Sequence, residues 1–180
     1  MDPLPTFKFH PDPIASGSVE LSDAKCVCCK KSRGAIYVGP VYAEEELSGK
    51  LCPWCIADGS AHKKFDATFV DEEVLDEEWP NGAAEEIAQR TPGFDTWQGE
   101  AWPTCCDDAT AFHKPMGLAE IRKEHYEWEG LITGHVVHNM GISGGAANRL
   151  VDSLNRDHGP TAYVFICRHC NAARFHIDQK

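Results

Sequence analysis

Apolar and polar positions change rhythm several times along this chain, and each rhythm predicts a different element. Residues 1 to 20 carry Pro3, Pro5, Pro11 and Pro13 among Phe7, Phe9, His10 and Ile14. Proline fixes φ and removes a backbone donor, so this stretch predicts an irregular arm whose aromatic residues pack onto a neighbour. The run RGAIYVGPVYAEEEL predicts a short strand, a turn at Gly39-Pro40 and a second short strand or loop. Gly82 to Arg90 predicts a short helix with Asn81 as its cap, stopped by Thr91-Pro92-Gly93. Residues 94 to 112 combine Phe94, Trp97, Trp102 and Phe112 with two cysteines, a loop-rich piece tied down by aromatic packing or metal.

Further on, Leu118, Ile121, His125, Trp128 and Leu131 recur at three- or four-residue spacing, opposite Glu120, Arg122, Lys123, Glu124 and Glu127. That period predicts an amphipathic helix over residues 117 to 132. Three glycines between 141 and 145 predict a turn, and Ala147, Leu150, Val151 and Leu154 predict a helix over 146 to 157, ended by Gly159-Pro160. The last segment, TAYVFICRHCNAARFHID, predicts a hairpin with a cysteine-bearing turn.

Composition adds to this picture without redirecting it. The chain has 180 residues, 42% of them hydrophobic and 25% charged, enough for a full core and unlike a disordered chain. Its 17 basic and 28 acidic residues give a net charge of -11. Such a surplus repels phosphate backbones, so nucleic acid is not the expected partner. Nine of the acids lie between residues 65 and 89, where Lys and Arg are absent, yet Phe65, Phe69, Val74, Leu75, Trp79 and Ile87 anchor that segment. This mixture predicts a solvated acidic face suited to a basic protein partner. The opening MDPLPTFKFHPDP is not a secretory leader, and no run of about 18 apolar residues exists, so a cytoplasmic location without a membrane partner is expected.

The nine cysteines carry the clearest chemistry, in the clusters CVCC, CPWC, CC and CRHC. An odd number in close pairs without an export signal favours thiolate ligands over a disulfide scaffold. Zinc takes four ligands at tetrahedral corners, and two residues between paired cysteines let a tight turn aim both sulfurs at one ion. Cys26 and Cys29 form one such pair and Cys52 and Cys55 the other, with 22 residues between them. These four predict a structural zinc, leaving Cys28 pointing away, although Cys28 competes with its neighbours for a place. The thioredoxin-like reading of Cys52-Pro53-Trp54-Cys55 lacks the strand that should precede it and is set aside.

A second ion is predicted at Cys106, Cys167 and Cys170, with Cys105 or His113 as the fourth ligand. Were that corner open, the ion could bind water and serve a hydrolase or lyase, with His169 or Asp108 as proton carrier. His135, His138 and His176 carry no ligand or catalytic signature, and Asp107-Asp108 are candidate supporting or capping acids. No catalytic residue and no organic cofactor is assigned.

Taken together, the segments FKFHPDPIASGS, CVCCKKSRGAIYVGPVYAEEE, LCPWCIADGSAHKKFDATFVD, RTPGFDTWQGEAWPTCCDDATAF and TAYVFICRHC resemble the CbrC family, also called UPF0167. Its named bacterial member is a colicin E2 tolerance protein. The resemblance implies a protein without an assigned biochemical activity, associated with tolerance to a nuclease colicin; the zinc expectation rests on the cysteine spacing. In that family a His-Cys pair precedes a further cysteine by four residues; here Cys105 stands in the histidine's place, Cys106 matches, and Thr110 replaces the later cysteine. The expected fold is α+β, with zinc-ribbon-like knuckles and short β-hairpins combined with two or three helices. Residues 1–65 are expected to form the arm and a four-cysteine lobe, and residues 66–180 an α+β region with the CxxC hairpin, the two able to share one core.

Overall fold

A computed structural model describes residues 2–178. The chain is α+β, with three small antiparallel sheets and, among the described residues, six short α-helices. Strand β1 (Val19–Ser22) pairs with β2 (Gly34–Tyr37) in the register Val19 to Tyr37 and Ser22 to Gly34. Tyr37 continues into a bridge with Leu51, and the second strand expected after Gly39-Pro40 is reduced to one bridge between Tyr42 and Thr68. Helices α1 (Pro53–Ala57) and α2 (Ser60–Phe65) follow. Pro53 opens α1 at its first position, where a missing N–H costs nothing. Val19, Ile36, Tyr37, Leu51, Ile56 and Phe69 close a first apolar cluster around these elements.

Helix α3 (Ala83–Arg90) lies where its pattern predicts, but its cap is Gly82 at φ 66° and not Asn81, which sits at φ 60° in the preceding 3-10 turn. A two-residue hairpin joins β3 (Thr104–Cys105) to β4 (Asp108–Ala109). The main sheet has the order β5-β6-β7, built from Ala111–Met116, Thr161–Ile166 and Ala173–Asp178. On one face it carries α4 (Leu118–Glu124), α5 (Trp128–His138) and α6 (Gly144–Asp152).

The predicted helix over 117 to 132 is therefore two helices. Its break falls at residues 125 to 127, where the His125 ring stacks flat on Trp128 at 3.6 Å. Beyond the break Ile132 and Val136 take the buried positions, and Leu131, expected inward, is exposed. The two or three helices expected become six through this division and the two short helices α1 and α2 between residues 53 and 65.

Central strand β6 is buried on both sides, as its unbroken apolar run requires. Ala162 and Val164 face the helices, whereas Tyr163 and Phe165 face a second, largely aromatic layer with Phe9, Trp79, Phe94 and Trp102, joined by Ile87. Edge strand β5 serves both layers by means of a bulge. Phe112 pairs with Phe165 and Lys114 with Val164, so His113 is an extra residue on β5. In a regular strand Phe112 and Met116, four apart, would share a face; the bulge sends Phe112 to the aromatics and Met116 to the helices. Pro115 is tolerated because β5 is an edge.

The N-terminal arm is irregular and docked, not free. Phe112 donates its backbone N–H to Phe9 at 2.7 Å, and Phe94 stacks on the Phe112 ring at 3.9 Å. His10 is wholly buried: Nδ1 donates to the Pro92 carbonyl at 2.6 Å, which leaves Nε2 to accept the Ser16 hydroxyl at 2.7 Å. Burial pulls its pKa from 6.5 down to about 4, against the raising effect of the Pro92 bond.

Candidate metal centres

All nine cysteines are free thiols, and eight of them gather into two sets of four. Cys26, Cys29, Cys52 and Cys55 form one set; Cys105, Cys106, Cys167 and Cys170 form the other, the sulfurs of each lying within 4.8 Å of one another.

In both sets one CxxC pair sits in the same backbone device. The Cys26 N–H donates to the Lys31 carbonyl at 2.9 Å, and the Lys30 N–H returns to the Cys26 carbonyl at 2.8 Å, with Lys30 at φ 61°. Cys167 repeats this with Ala172 at 2.9 Å and Asn171 at 3.0 Å, Asn171 standing at φ 59°. The turn aims amide hydrogens at the first sulfur: His169 and Cys170 both donate to Cys167 Sγ at 3.5 Å. A thiolate held by such donors is favoured over its thiol. Burial raises the Cys167 thiol, but the amides of Cys170 and His169 outweigh it and bring the pKa down to about 6. At Cys26 a hydrogen bond from the Cys52 thiol, helped by amides of Cys29, Cys52 and Cys28, lowers it to about 4. Burial holds Cys55 and Cys105 as high as about 12.

The second half of each set is built differently. Cys52 caps α1 and Cys55 lies on its first turn, with the Cys52 N–H 3.3 Å from Cys26 Sγ. Cys26 approaches Cys55 at 3.9 Å, and Cys29 approaches Cys52 at 3.9 Å. Adjacent cysteines reach one centre in the other set because Cys106 and Asp107, the two turn residues between β3 and β4, stand at φ 55° and 54°. Positive φ at both central residues is the type I′ pattern, which matches the twist of a tight hairpin. Cys105 then lies 3.9 Å from Cys106 and 3.7 Å from Cys170.

A zinc ion bound by four sulfurs at about 2.3 Å has S···S edges of about 3.8 Å. The four S···S separations given above, 3.7 to 3.9 Å, fit that tetrahedron and are far from the roughly 2.05 Å of a disulfide. Soft thiolates also match zinc chemically. Both donor sets thus fit the ion.

The seven cysteines expected as ligands, Cys26, Cys29, Cys52, Cys55, Cys106, Cys167 and Cys170, all fall in these sets, and Cys105, not His113, is the fourth member of the second. His113 lies instead on the β5 bulge, 6.4 Å from the Trp128 ring. Cys28 points out of the first set toward Ser60 at 3.7 Å. Cys105 occupies the corner that an open, water-binding site would need. Lys64 donates to the Val27 and Cys28 carbonyls at 3.2 and 3.3 Å, and Arg33 lies over Trp54, so cations border the first set.

Asp108, buried beside the second set, accepts from Arg168 Nη1 at 2.9 Å, His169 Nε2 at 2.7 Å and the Ala109 amide at 2.8 Å. Burial raises its pKa, but these donors prevail and hold it below the usual carboxylate value. Arg168 also covers the Phe9 ring, linking the arm to the second knuckle. This link was not readable from the sequence, since nothing in CRHC says that Arg168 meets residue 9.

Fold and sites define a class: a small α+β protein that gathers eight thiols into two closed four-cysteine centres. No described helix is long and apolar enough to cross a membrane. The chain belongs to the uncharacterised protein family UPF0167, or CbrC-like family, whose model matches residues 4–179. It is 42% identical over 178 residues to a UPF0167 protein of Pseudomonas aeruginosa, covering 98% of this chain and 97% of that one. UPF0167 proteins of Mycobacterium bovis and Mycobacterium tuberculosis are each 39% identical over 176 residues, covering 97% of this chain and 93% of theirs. No solved structure matches.

Proposed function

We propose that this protein binds two structural zinc ions and acts by binding a protein partner, without chemistry at either metal. The observation that supports it is that four thiols fill each centre through matching knuckles, leaving no corner for water or substrate. Cys26, Cys29, Cys52 and Cys55 would hold one ion; Cys105, Cys106, Cys167 and Cys170 would hold the other. Each ion contributes binding free energy to the folded state, because the unfolded chain has no assembled site.

Metal analysis of protein purified without chelator or nickel tests this reading. Two zincs per chain are expected, falling to one in Cys52→Ser and one in Cys167→Ser. A wild type with one zinc, lost only with Cys52, would reduce the second set to a remnant.

The partner face we favour is the acidic segment. Glu72, Glu77 and Glu85 rim a groove of about 400 Å³ whose floor includes Leu75, Ala84 and Ala88. A basic protein surface fits this charge, in line with the tolerance to a nuclease colicin that the family resemblance implies, and in a cytoplasmic setting. Association with a basic nuclease domain should weaken steeply as salt rises; salt-independent association would remove the electrostatic basis.

A further inference from the structure

The two centres differ in one respect that their shared geometry hides. In the first, Cys26, Cys52 and Cys55 are buried and Cys29 is half-buried. In the second, Cys105 and Cys167 are buried, but Cys106 and Cys170 are exposed, one from each hairpin. A thiolate reacts with an oxidant only where the oxidant can reach its sulfur in line, so exposure decides which centre is attacked.

We propose that Cys106 and Cys170 are an oxidative modification site for hydroperoxides, closing to a disulfide that dismantles the second centre while the first stays intact. Attack by one exposed thiolate sulfur on the peroxide forms an S–O bond and breaks the O–O bond, leaving a sulfenic acid and a hydroxide or alkoxide that takes up a proton. The second thiolate attacks the sulfenic sulfur; the S–S bond forms, the S–O bond breaks, and hydroxide leaves to become water. Two thiolates have lost two electrons, and the peroxide has been reduced to water and an alcohol or second water. Their sulfurs lie within the 4.8 Å span of the set, so little backbone movement is needed to join them. The centre then keeps only Cys105 and Cys167, too few donors to hold an ion.

The consequence for the fold is local. Cys106 is at the tip of the β3–β4 hairpin and Cys170 in the turn between β6 and β7, while the sheet behind is held by its own ladders. Release of the ion would loosen the turn that carries Arg168 and His169 against Asp108.

The inference rests on the zinc reading for its metal readout, but not for its chemical one. Purified wild type is treated with hydrogen peroxide in several-fold excess, with released zinc followed by a colorimetric chelator and thiols mapped by differential alkylation and mass spectrometry. One zinc per chain should leave at least about tenfold faster than the other, with Cys106 and Cys170 protected together as a disulfide. Cys28→Ser should behave identically. Release of both ions at one rate, release of neither, a disulfide elsewhere, or loss of the effect in Cys28→Ser would each overturn the proposal. Absence of zinc at the second set before any oxidant is added would instead overturn the zinc reading, while the alkylation map would still report on Cys106 and Cys170.

Discussion

Replacing His10 with glutamine should change how stability depends on pH. The ring is enclosed, donates to Pro92 and accepts from Ser16, and burial brings its pKa to about 4. The folded protein keeps it neutral down to about pH 4, whereas the unfolded chain begins to protonate it near 6.5. Between those values the unfolded state binds more protons, so stability is full above pH 6.5 and falls as pH drops toward 4. The gap corresponds to about 3 kcal/mol. Glu100 acts with opposite sign in much the same window, because burial lifts its carboxyl from 4.5 to about 7 and the folded state takes up that proton first. A raw pH curve mixes the two, so the difference between wild type and His10→Gln is the quantity to measure. Urea unfolding followed by tryptophan fluorescence would supply it from about pH 7.5 to 4. Near pH 7.5 the variant should be less stable by about 2–3 kcal/mol, since the glutamine amide carries its donor and acceptor on one flexible tip and does not match the ring's rigid span between Pro92 and Ser16. By pH 4 the gap should nearly close. A gap constant across the range would refute the claim that His10 is held neutral.

Other expectations follow from particular contacts. Glu100 Oε1 is buried without a hydrogen-bond partner among the described residues, while Oε2 accepts from the Asp71 amide at 2.8 Å. Glu100→Gln should therefore raise stability by about 1–2 kcal/mol near pH 8.5, with the gain vanishing by about pH 5; equal stability at both would contradict a buried charge. Gly93 donates its amide to Tyr37 Oη at 3.1 Å, and a Cβ there would lie 1.9 Å from the Phe69 carbonyl oxygen. Gly93→Ala should cost about 3 kcal/mol in urea unfolding, and a loss under about 1 kcal/mol would show that the Phe69 backbone yields easily.

What the sequence reveals is set by how local each signal is. The CxxC turns need only five or six consecutive residues, and both knuckles and the 161–178 hairpin were legible for that reason. Helices α3 and α6 were also visible, because their apolar positions keep one period over two turns. By contrast, β1 buries only Val19 fully, so nothing in VELS marks it as the partner of β2. Strand β5 was obscured by Pro115 and by the His113 bulge, which breaks the alternation a reader looks for. The place of Cys105 depended on two consecutive non-glycine residues at positive φ, a conformation that sequence argues against. The pairing of two thiol pairs more than 60 residues apart is decided by the sheet between them, and no local rhythm encodes that.

The arm that begins the chain docks against its last strands: Phe9 shares its apolar cluster with Tyr163 and Phe165. During synthesis the first four-cysteine set is complete once residue 55 has left the ribosome, and closing that short stretch costs little chain entropy. Phe9 and Trp79, made early, must wait for Tyr163 and Phe165 before their cluster is complete. A nascent chain thus has one four-cysteine set complete while its opening residues still carry partly bare aromatic surface. Ribosomes stalled before β6 would display that surface to chaperones and proteases, so the final strands act as the seal on the first ones.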